Sequence, residues 1–490
     1  MRIAKSTLCK SFLVIEGRTC YRECLILSTF IRFMCIFLSL LVSISCAIPF
    51  IRWILDKRRP TVISFFHPHA ASRGGGERVL WSAIGGILSD PRFEDATLVV
   101  YSIHVDRSDV LRKVYETFGL PRFKHPERIV FLPVYFPILL EARTWPVATL
   151  LGQSVGAAMS FIASLLMTPL PLWPSVFVDT TGCPFTLPVV KCLAWAKVVA
   201  YIHYPTMSAD MFAKVRLREP QFNHRKIFAA SWLLSHLKLG YYIGFLFLYR
   251  LCSLFTNRVI CNSEWTACRV RQVWKRNDVR VMYPPAVFQP QSDSHSLDNA
   301  NRECLIVSLA QFRPEKNHEQ QIRVFSNVLK QIPEARLSMI GGARNAADLA
   351  LVDGLRQLAN SLEIRPDRIE LLVNADRRIV EKYLRKAKCA IHTMRDEHFG
   401  ISLLEFMEAQ VPVVCHRSGG PESDILFPDE SYGFLATSDE EFTSKIVHVL
   451  RNFEGPKLTE KRRAASKSLD RFLNDVQFGK AFCNVIAQVV

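Results

Sequence analysis

Residues 304–318 read CLIVSLAQFRPEKNH, and their order decides the fold. An unbroken apolar run, Cys304–Leu309, meets a polar turn carrying Arg313, Pro314 and Lys316, and an amphipathic segment follows. A run with no polar alternation has no solvent face, which is what a strand inside a parallel sheet covered by helices requires. The same cycle continues downstream: strands are expected at Arg336–Ile340, Ile369–Val373 and Cys389–His392, and helices over Lys316–Gln331, Ala346–Leu362, Arg377–Ala387 and from about Ser402. Upstream it recurs as strands at Val62–Phe66, Thr97–Ile103, Ile129–Val134, Ser175–Asp179 and Val198–Ile202, closing at Val259–Cys261, with a helix over Glu77–Leu88. Pro284-Pro285 and the polar stretch 289–302 divide the two series. The chain is therefore α/β, with two Rossmann-like doubly wound domains, 61–290 and 303–455, facing a cleft, and closing helices over 456–490.

The uncharged stretch 33–51 is long enough, at 1.5 Å per residue, to cross a bilayer as a transmembrane anchor behind a leader, 1–32. The polar leader and the basic Lys57-Arg58-Arg59 after it argue against a cleaved signal peptide. Residues 146–178 and 239–255 are also unusually apolar, and core or membrane-interfacial placement is open for both. The net charge of +17 suits nucleic acid, anionic lipid or phosphorylated substrates alike. With no recognition motif for bases, nucleic-acid binding is not expected. The 14 cysteines hold no C-x-x-C pair, so neither a zinc knuckle nor a thioredoxin-like couple is indicated, and most read as reduced core thiols.

Three segments carry candidate chemistry. Arg73-Gly74-Gly75-Gly76-Glu77-Arg78 lies between the first strand and its helix, where exposed amides could hold an anion or a sugar hydroxyl. Its spacing matches neither a dinucleotide fingerprint nor a P-loop. Arg313 and Lys316 bracket the next such helix start, where cations are unfavourable unless an anion joins them, so a phosphate site is expected. In Asp396-Glu397-His398-Phe399-Gly400-Ile401-Ser402-Leu403-Leu404-Glu405, a loop carboxylate, open amides and a helix carboxylate follow one another, with Gly419-Gly420-Pro421-Glu422 downstream. Carboxylates at this spacing also suit a glycosidase acid/base couple, but there they flank a cleft as separate elements.

The E-x7-E pair Glu397/Glu405 with Arg313/Lys316 resembles the retaining glycosyltransferases of GT-B type, family four. The blocks Phe66-His67-Pro68-His69, Gly74 to Trp81, Tyr201-Ile202-His203-Tyr204-Pro205, Cys261-Asn262-Ser263-Glu264-Trp265-Thr266 and Ser418-Gly419-Gly420-Pro421 narrow the likeness. They are similar to the GDP-mannose-dependent α-1,2-mannosyltransferases of the endoplasmic reticulum that extend lipid-linked oligosaccharide. The resemblance implies a GT-B fold. It implies Arg313 and Lys316 on the GDP diphosphate, Glu405 on the ribose, and Glu397 on the donor mannose. Amides from Phe399 through Gly400, Ile401 and Ser402 to Leu403 would hold phosphate or sugar. Catalytic His203 and the loop Gly74, Gly75, Gly76 and Glu77 would meet the transferred sugar or the incoming hydroxyl, although a hydrogen-bonded core histidine explains His203 equally well. Implied partners are GDP-mannose, a dolichyl-diphosphate oligosaccharide, Man(3)GlcNAc(2)-PP-dolichol, the endoplasmic-reticulum membrane with the body on the cytosolic side, and other mannosyltransferases of the pathway.

No Asp-x-Asp occurs, so no metal and no cofactor is indicated, and fixed cations with helix dipoles are expected to meet the leaving-group charge. Two rivals stay open: another polyprenol-linked sugar transferase (α-1,3 or α-1,6 mannosyl, or N-acetylglucosaminyl), and a silent scaffold subunit, whose mark would be a broken pair.

Overall fold

The structure, a computed structural model, describes residues 61–72, 74–207, 232–286, 302–343, 345–428 and 430–490. The leader, the anchor at 33–51, Lys57-Arg58-Arg59, Arg73 and the linker 289–301 lie outside the described residues.

Two parallel sheets organise the chain. The first joins β1 (Val62–Phe66), β2 (Thr97–Ser102), β3 (Ile129–Pro133), β4 (Val176–Asp179), β5 (Lys197–Ile202), β6 (Arg258–Cys261) and β7 (Val279–Val281) in the order β3-β2-β1-β4-β5-β6-β7. The second joins β8 (Glu303–Leu309), β9 (Arg336–Gly341), β10 (Ile369–Val373), β11 (Ala387–His392), β12 (Val413–His416) and β13 (Phe434–Ala436) in the order β10-β9-β8-β11-β12-β13. Every residue of β1 and of β4 is buried, as strands covered on both faces must be. In each sheet the order reverses beside the first strand, at β1/β4 and at β8/β11. A crevice opens there beyond the carboxyl ends, so the glycine loop after β1 and the turns after β8 and β11 fall on the ligand side.

The structure corrects several boundaries. The first sheet continues past Val259–Cys261 to β7, and β12 and β13 extend the second. The first helix spans Gly75–Ser89, so Gly75 and Gly76 lie inside its first turn. The helix expected from Lys316 begins at His318; Pro314–Lys316 forms a tight 3-10 turn, followed by Asn317 at φ 53°. Proline at the start of a turn and asparagine in the left-handed region both favour this break.

The end of the chain belongs to the first domain's core. Helix Asp475–Ala487, capped reciprocally by Asn474 and Gln477, places Phe478, Phe482, Cys483 and Ile486 in one buried cluster with Val79, Trp81 and Ile84. Asp475 receives Arg78 and the Ser82 hydroxyl, each at 2.6 Å. The two helices touch backbone to backbone at Gly86 and Gly479, where a Cβ on Gly86 would stand 2.7 Å from the Gly479 carbonyl carbon. We expect Gly86→Val to lower stability by roughly 3 kcal/mol through overpacking, read as a shifted urea midpoint. Gly240→Val, at a helix position facing open space, should leave the midpoint almost unmoved.

Both apolar stretches are two-faced helices. In Trp232–Ser253, Tyr242, Phe245, Tyr249 and Cys252 enter the core, while Ile243, Phe247 and Leu251, with Leu254 just beyond, are exposed along one stripe. Thr149–Leu166 is long and apolar enough to cross a bilayer, yet half of it is buried. Tyr241 joins the two helices by accepting from the Leu151 amide at 3.0 Å. Arg250 donates to the Val273 carbonyl at 2.6 Å.

Candidate active site

The second domain supplies one wall. Residues after β11 bring Glu397 under the turn after β8, and Lys316 Nζ lies 2.5 Å from Glu397 Oε2. His392, the last residue of β11, places Nε2 3.1 Å from the same oxygen. Burial pushes the Glu397 carboxyl up, but Lys316 and the His392 hydrogen bond outweigh it and hold the group well below the usual carboxylate range. Arg313 sits in the same turn, its carbonyl accepting from the Lys316 amide at 3.1 Å and its guanidinium 3.8 Å from Glu315. The anion that answers Lys316 in this structure is thus Glu397, 81 residues away in the chain.

The Glu397 loop rests on glycines. Gly420 donates to the Glu397 carbonyl at 2.8 Å, and a Cβ on it would stand 2.7 Å from both the His398 carbonyl and the Phe399 Cα. Gly400, at φ 100°, turns the chain into helix Ile401–Glu408, whose start therefore faces the cleft. Phe399 and Leu403 send their side chains into the core. The Leu403 amide is not open, because it donates to the Gly400 carbonyl at 3.0 Å; the amides of Ile401 and Ser402 make no hydrogen bond among the described residues. Glu405 lies one turn on, held by Arg377 at 2.5 Å.

The first domain supplies the facing wall. A Cβ on Gly75 would stand 3.1 Å from Ile401 Cδ1, and one on Gly76 3.4 Å from His203 Nε2. His203 ends just past β5, with its ring bonded to the Thr180 backbone; burial pushes it down to about 4, so it is neutral at pH 7. Beside it, Tyr204 stacks on His398 with centroids 4.1 Å apart. Ser263 donates to the His398 carbonyl at 2.6 Å, and Asp424 accepts the amides of Glu264 and Trp265 at 2.7 and 3.3 Å. These contacts fix the walls at one edge, with Glu397, Lys316 and Ile401 opposite Gly75, Gly76 and His203.

Sequence reasoning gave no role to His392, Arg377, His398 or Tyr204. A histidine closing a strand beside a loop carboxylate was a usable signal for His392; the Arg377 contact joins separate elements and leaves none. His318, under the Lys316 turn, is likewise pushed by burial, His392 and Lys316 down to about 4. An imidazole depressed below its unfolded value of 6.5 favours folding fully above that value, and the contribution is lost as pH falls toward 4. His318→Gln should therefore show a smaller drop in urea midpoint between about pH 7 and 5 than the parent protein.

Residues 60–274 match the family described as ALG11 mannosyltransferase N-terminus, and residues 291–468 match glycosyl transferases group 1. The mouse protein named GDP-Man:Man(3)GlcNAc(2)-PP-Dol alpha-1,2-mannosyltransferase is 35% identical, over 88% of this chain and 90% of its own. The Caenorhabditis elegans protein of that name is 35% identical, over 88% and 92%. Among solved structures, sucrose-phosphate synthase from Thermosynechococcus elongatus superposes with a TM-score of 0.58 at 15% identity, over 87% of this chain and all of that one. HepE from Anabaena gives 0.56 at 15%, over 87% and all of its chain. Those likenesses show the GT-B fold. With both halves matched by family models and relatives 35% identical over 88% of the chain, the chain belongs to the family of GDP-Man:Man(3)GlcNAc(2)-PP-Dol alpha-1,2-mannosyltransferases.

Proposed function

We propose that the chain moves mannose from GDP-mannose, in α-1,2 linkage and with retained configuration, onto Man(3)GlcNAc(2)-PP-dolichol, adding the fourth and fifth mannoses. The observation that carries the reading is the Lys316–Glu397 pair beside the open start of helix Ile401–Glu408, facing the glycine loop and His203. Breaking the sugar–phosphate bond builds negative charge on the β-phosphate. Lys316, Arg313 and the Ile401 and Ser402 amides are the donors that would meet that charge. Glu397, kept ionised by Lys316 and His392, accepts hydrogen bonds from donor mannose hydroxyls, and Glu405, oriented by Arg377, accepts those of the ribose. His203, neutral, would then contact the transferred sugar or the incoming hydroxyl. All four residues of the two pairs are present, which disfavours a silent scaffold.

The test is transfer from labelled GDP-mannose to a phytanyl-linked trimannosyl acceptor, run with and without EDTA. Label released by an α-1,2-specific mannosidase, at a rate EDTA leaves unchanged, supports the reading. Label in another linkage supports a different sugar transferase, and a strict metal requirement removes fixed cations as the charge carriers.

The exposed stripe Ile243, Phe247, Leu251 and Leu254, next to helix Thr149–Leu166, supports a body lying against a bilayer, and a cytosolic sugar nucleotide places that body on the cytosolic face of the endoplasmic reticulum. Residues 61–490 should be digested when protease is added to sealed microsomes; protection would contradict this placement.

A further inference from the structure

The glycine loop opens a helix, and a helix start ordinarily attracts anions. Here that charge is already answered from within. Glu77, the third residue of helix Gly75–Ser89, folds back over Gly74, so closely that a Cβ there would collide with its carboxylate, and it bonds its own amide. His67 Nε2 stands 3.5 Å from Glu77 Oε1 while His67 Nδ1 meets the Thr180 hydroxyl at 2.8 Å. Burial pushes the Glu77 carboxyl up, but the His67 hydrogen bond, its own amide and the nearby His203 leave it below the ordinary value. The adjacent cation, Arg78, is turned away onto Asp475 at 2.6 Å. A second anion would meet that carboxylate and, among the described residues, no free cation.

What fits is a proton donor. An ionised carboxylate only accepts hydrogen bonds. On the other side of Gly76, His203 Nε2 is buried and has no hydrogen-bond partner in the structure. Its ring is neutral and already bonded to the Thr180 backbone, so Nε2 is left as a second acceptor. Two acceptors, with no free cation among the described residues and a glycine that leaves room beside them, match sugar hydroxyls.

We infer that Glu77 is a specificity-determining residue of the acceptor subsite, its carboxylate taking the hydrogen bond of one hydroxyl on the terminal mannose of the acceptor. The inference rests on the proposed function for the identity of that sugar. A site built to accept from a hydroxyl rejects the analogue lacking it, because the charged partner is then left unpaired.

The experiment measures kcat/KM for a set of monodeoxy trimannosyl phytanyl acceptors with the full chain and with Glu77→Gln, alongside GDP affinity and the urea midpoint of each. For the parent protein one deoxy position should cost roughly ten- to a hundredfold, the range for a hydrogen bond to a charged group. In Glu77→Gln that same position should cost about twofold or less, with GDP affinity and urea midpoint close to the parent's. The inference is overturned if every deoxy-acceptor penalty persists unchanged in Glu77→Gln, or if, with deoxy GDP-mannose donors run alongside, the penalty that vanishes belongs to the donor instead of the acceptor. A parent protein that transfers no mannose to the trimannosyl acceptor would defeat the proposed function itself, which is a separate outcome from an unchanged penalty.

Discussion

Lys316→Ala is expected to lower turnover roughly a hundred- to a thousandfold while the protein stays folded. The scale follows from removing one preorganised donor at a developing oxyanion, about 2.7–4 kcal/mol in the transition state. The structure adds a second consequence, since Lys316 is also the ammonium 2.5 Å from Glu397. Truncating one partner of a buried pair leaves the other uncompensated, which is severe when nothing else is near. Here His392 stays at 3.1 Å from the same oxygen, so Glu397 keeps a hydrogen-bond partner and the stability loss should be modest. A depressed carboxyl contributes stability above its unfolded pKa of 4.5, lost as pH falls through the lower folded value. Removing Lys316 raises that folded value, so the acid-unfolding limb should begin at higher pH. The expected pattern is a large loss of kcat, a small drop in urea midpoint at pH 7, and earlier unfolding below pH 4.5. Transfer kinetics and urea titrations at several pH values check it; near-normal kcat in this variant would remove the leaving-group role.

The second large effect is expected at residues that touch no substrate in this reading. Gly419 has φ 72°, and a Cβ on it would stand 2.8 Å from the Glu397 amide nitrogen; Gly420 meets the next two residues of the same loop. An alanine at either position must push the Glu397 loop away from the β12–helix connection. Displacement of a catalytic group by about 1 Å costs on the order of a hundredfold in rate. Gly420→Ala should therefore lose about a hundredfold in kcat/KM for GDP-mannose, with an overpacking penalty of about 1–3 kcal/mol in stability. Gly354→Ala, at an exposed position of helix Ala346–Ser361 with nothing within 4 Å, is the matched control and should keep full transfer with equal or slightly higher stability. Equal activity in Gly420→Ala would mean that the loop does not need its present position.

Much of this was legible before the structure, for a definite reason. Strands covered on both faces read as continuous apolar runs, so β1, β8 and β9 could be placed from sequence almost to the residue. Strands of three or four residues, such as β7, β12 and β13, carry too little pattern to stand out from loop. The closing segment 456–490 read as helical, but the allegiance of helix Asp475–Ala487 to the first domain depends on a Gly86–Gly479 contact that no local periodicity encodes. At the site, residue types and spacing pointed to Glu397, Lys316 and the glycine loop. They did not reveal that Lys316 and Glu397 pair with each other, nor that Glu77 turns back onto its own helix start, although a carboxylate three residues after Gly74 was a capping signal. The shifted start at His318 shows a local rule winning: Pro314 and Asn317 set a tight turn where periodicity alone extended the helix.

The most direct test of the account is a structure of the full chain bound to GDP. The β-phosphate is expected within about 3 Å of Lys316 Nζ and of the Ile401 or Ser402 amide, with the Arg313 guanidinium beside the diphosphate and Glu405 on the ribose. GDP bound with its diphosphate out of reach of Lys316, Arg313 and those amides would contradict it.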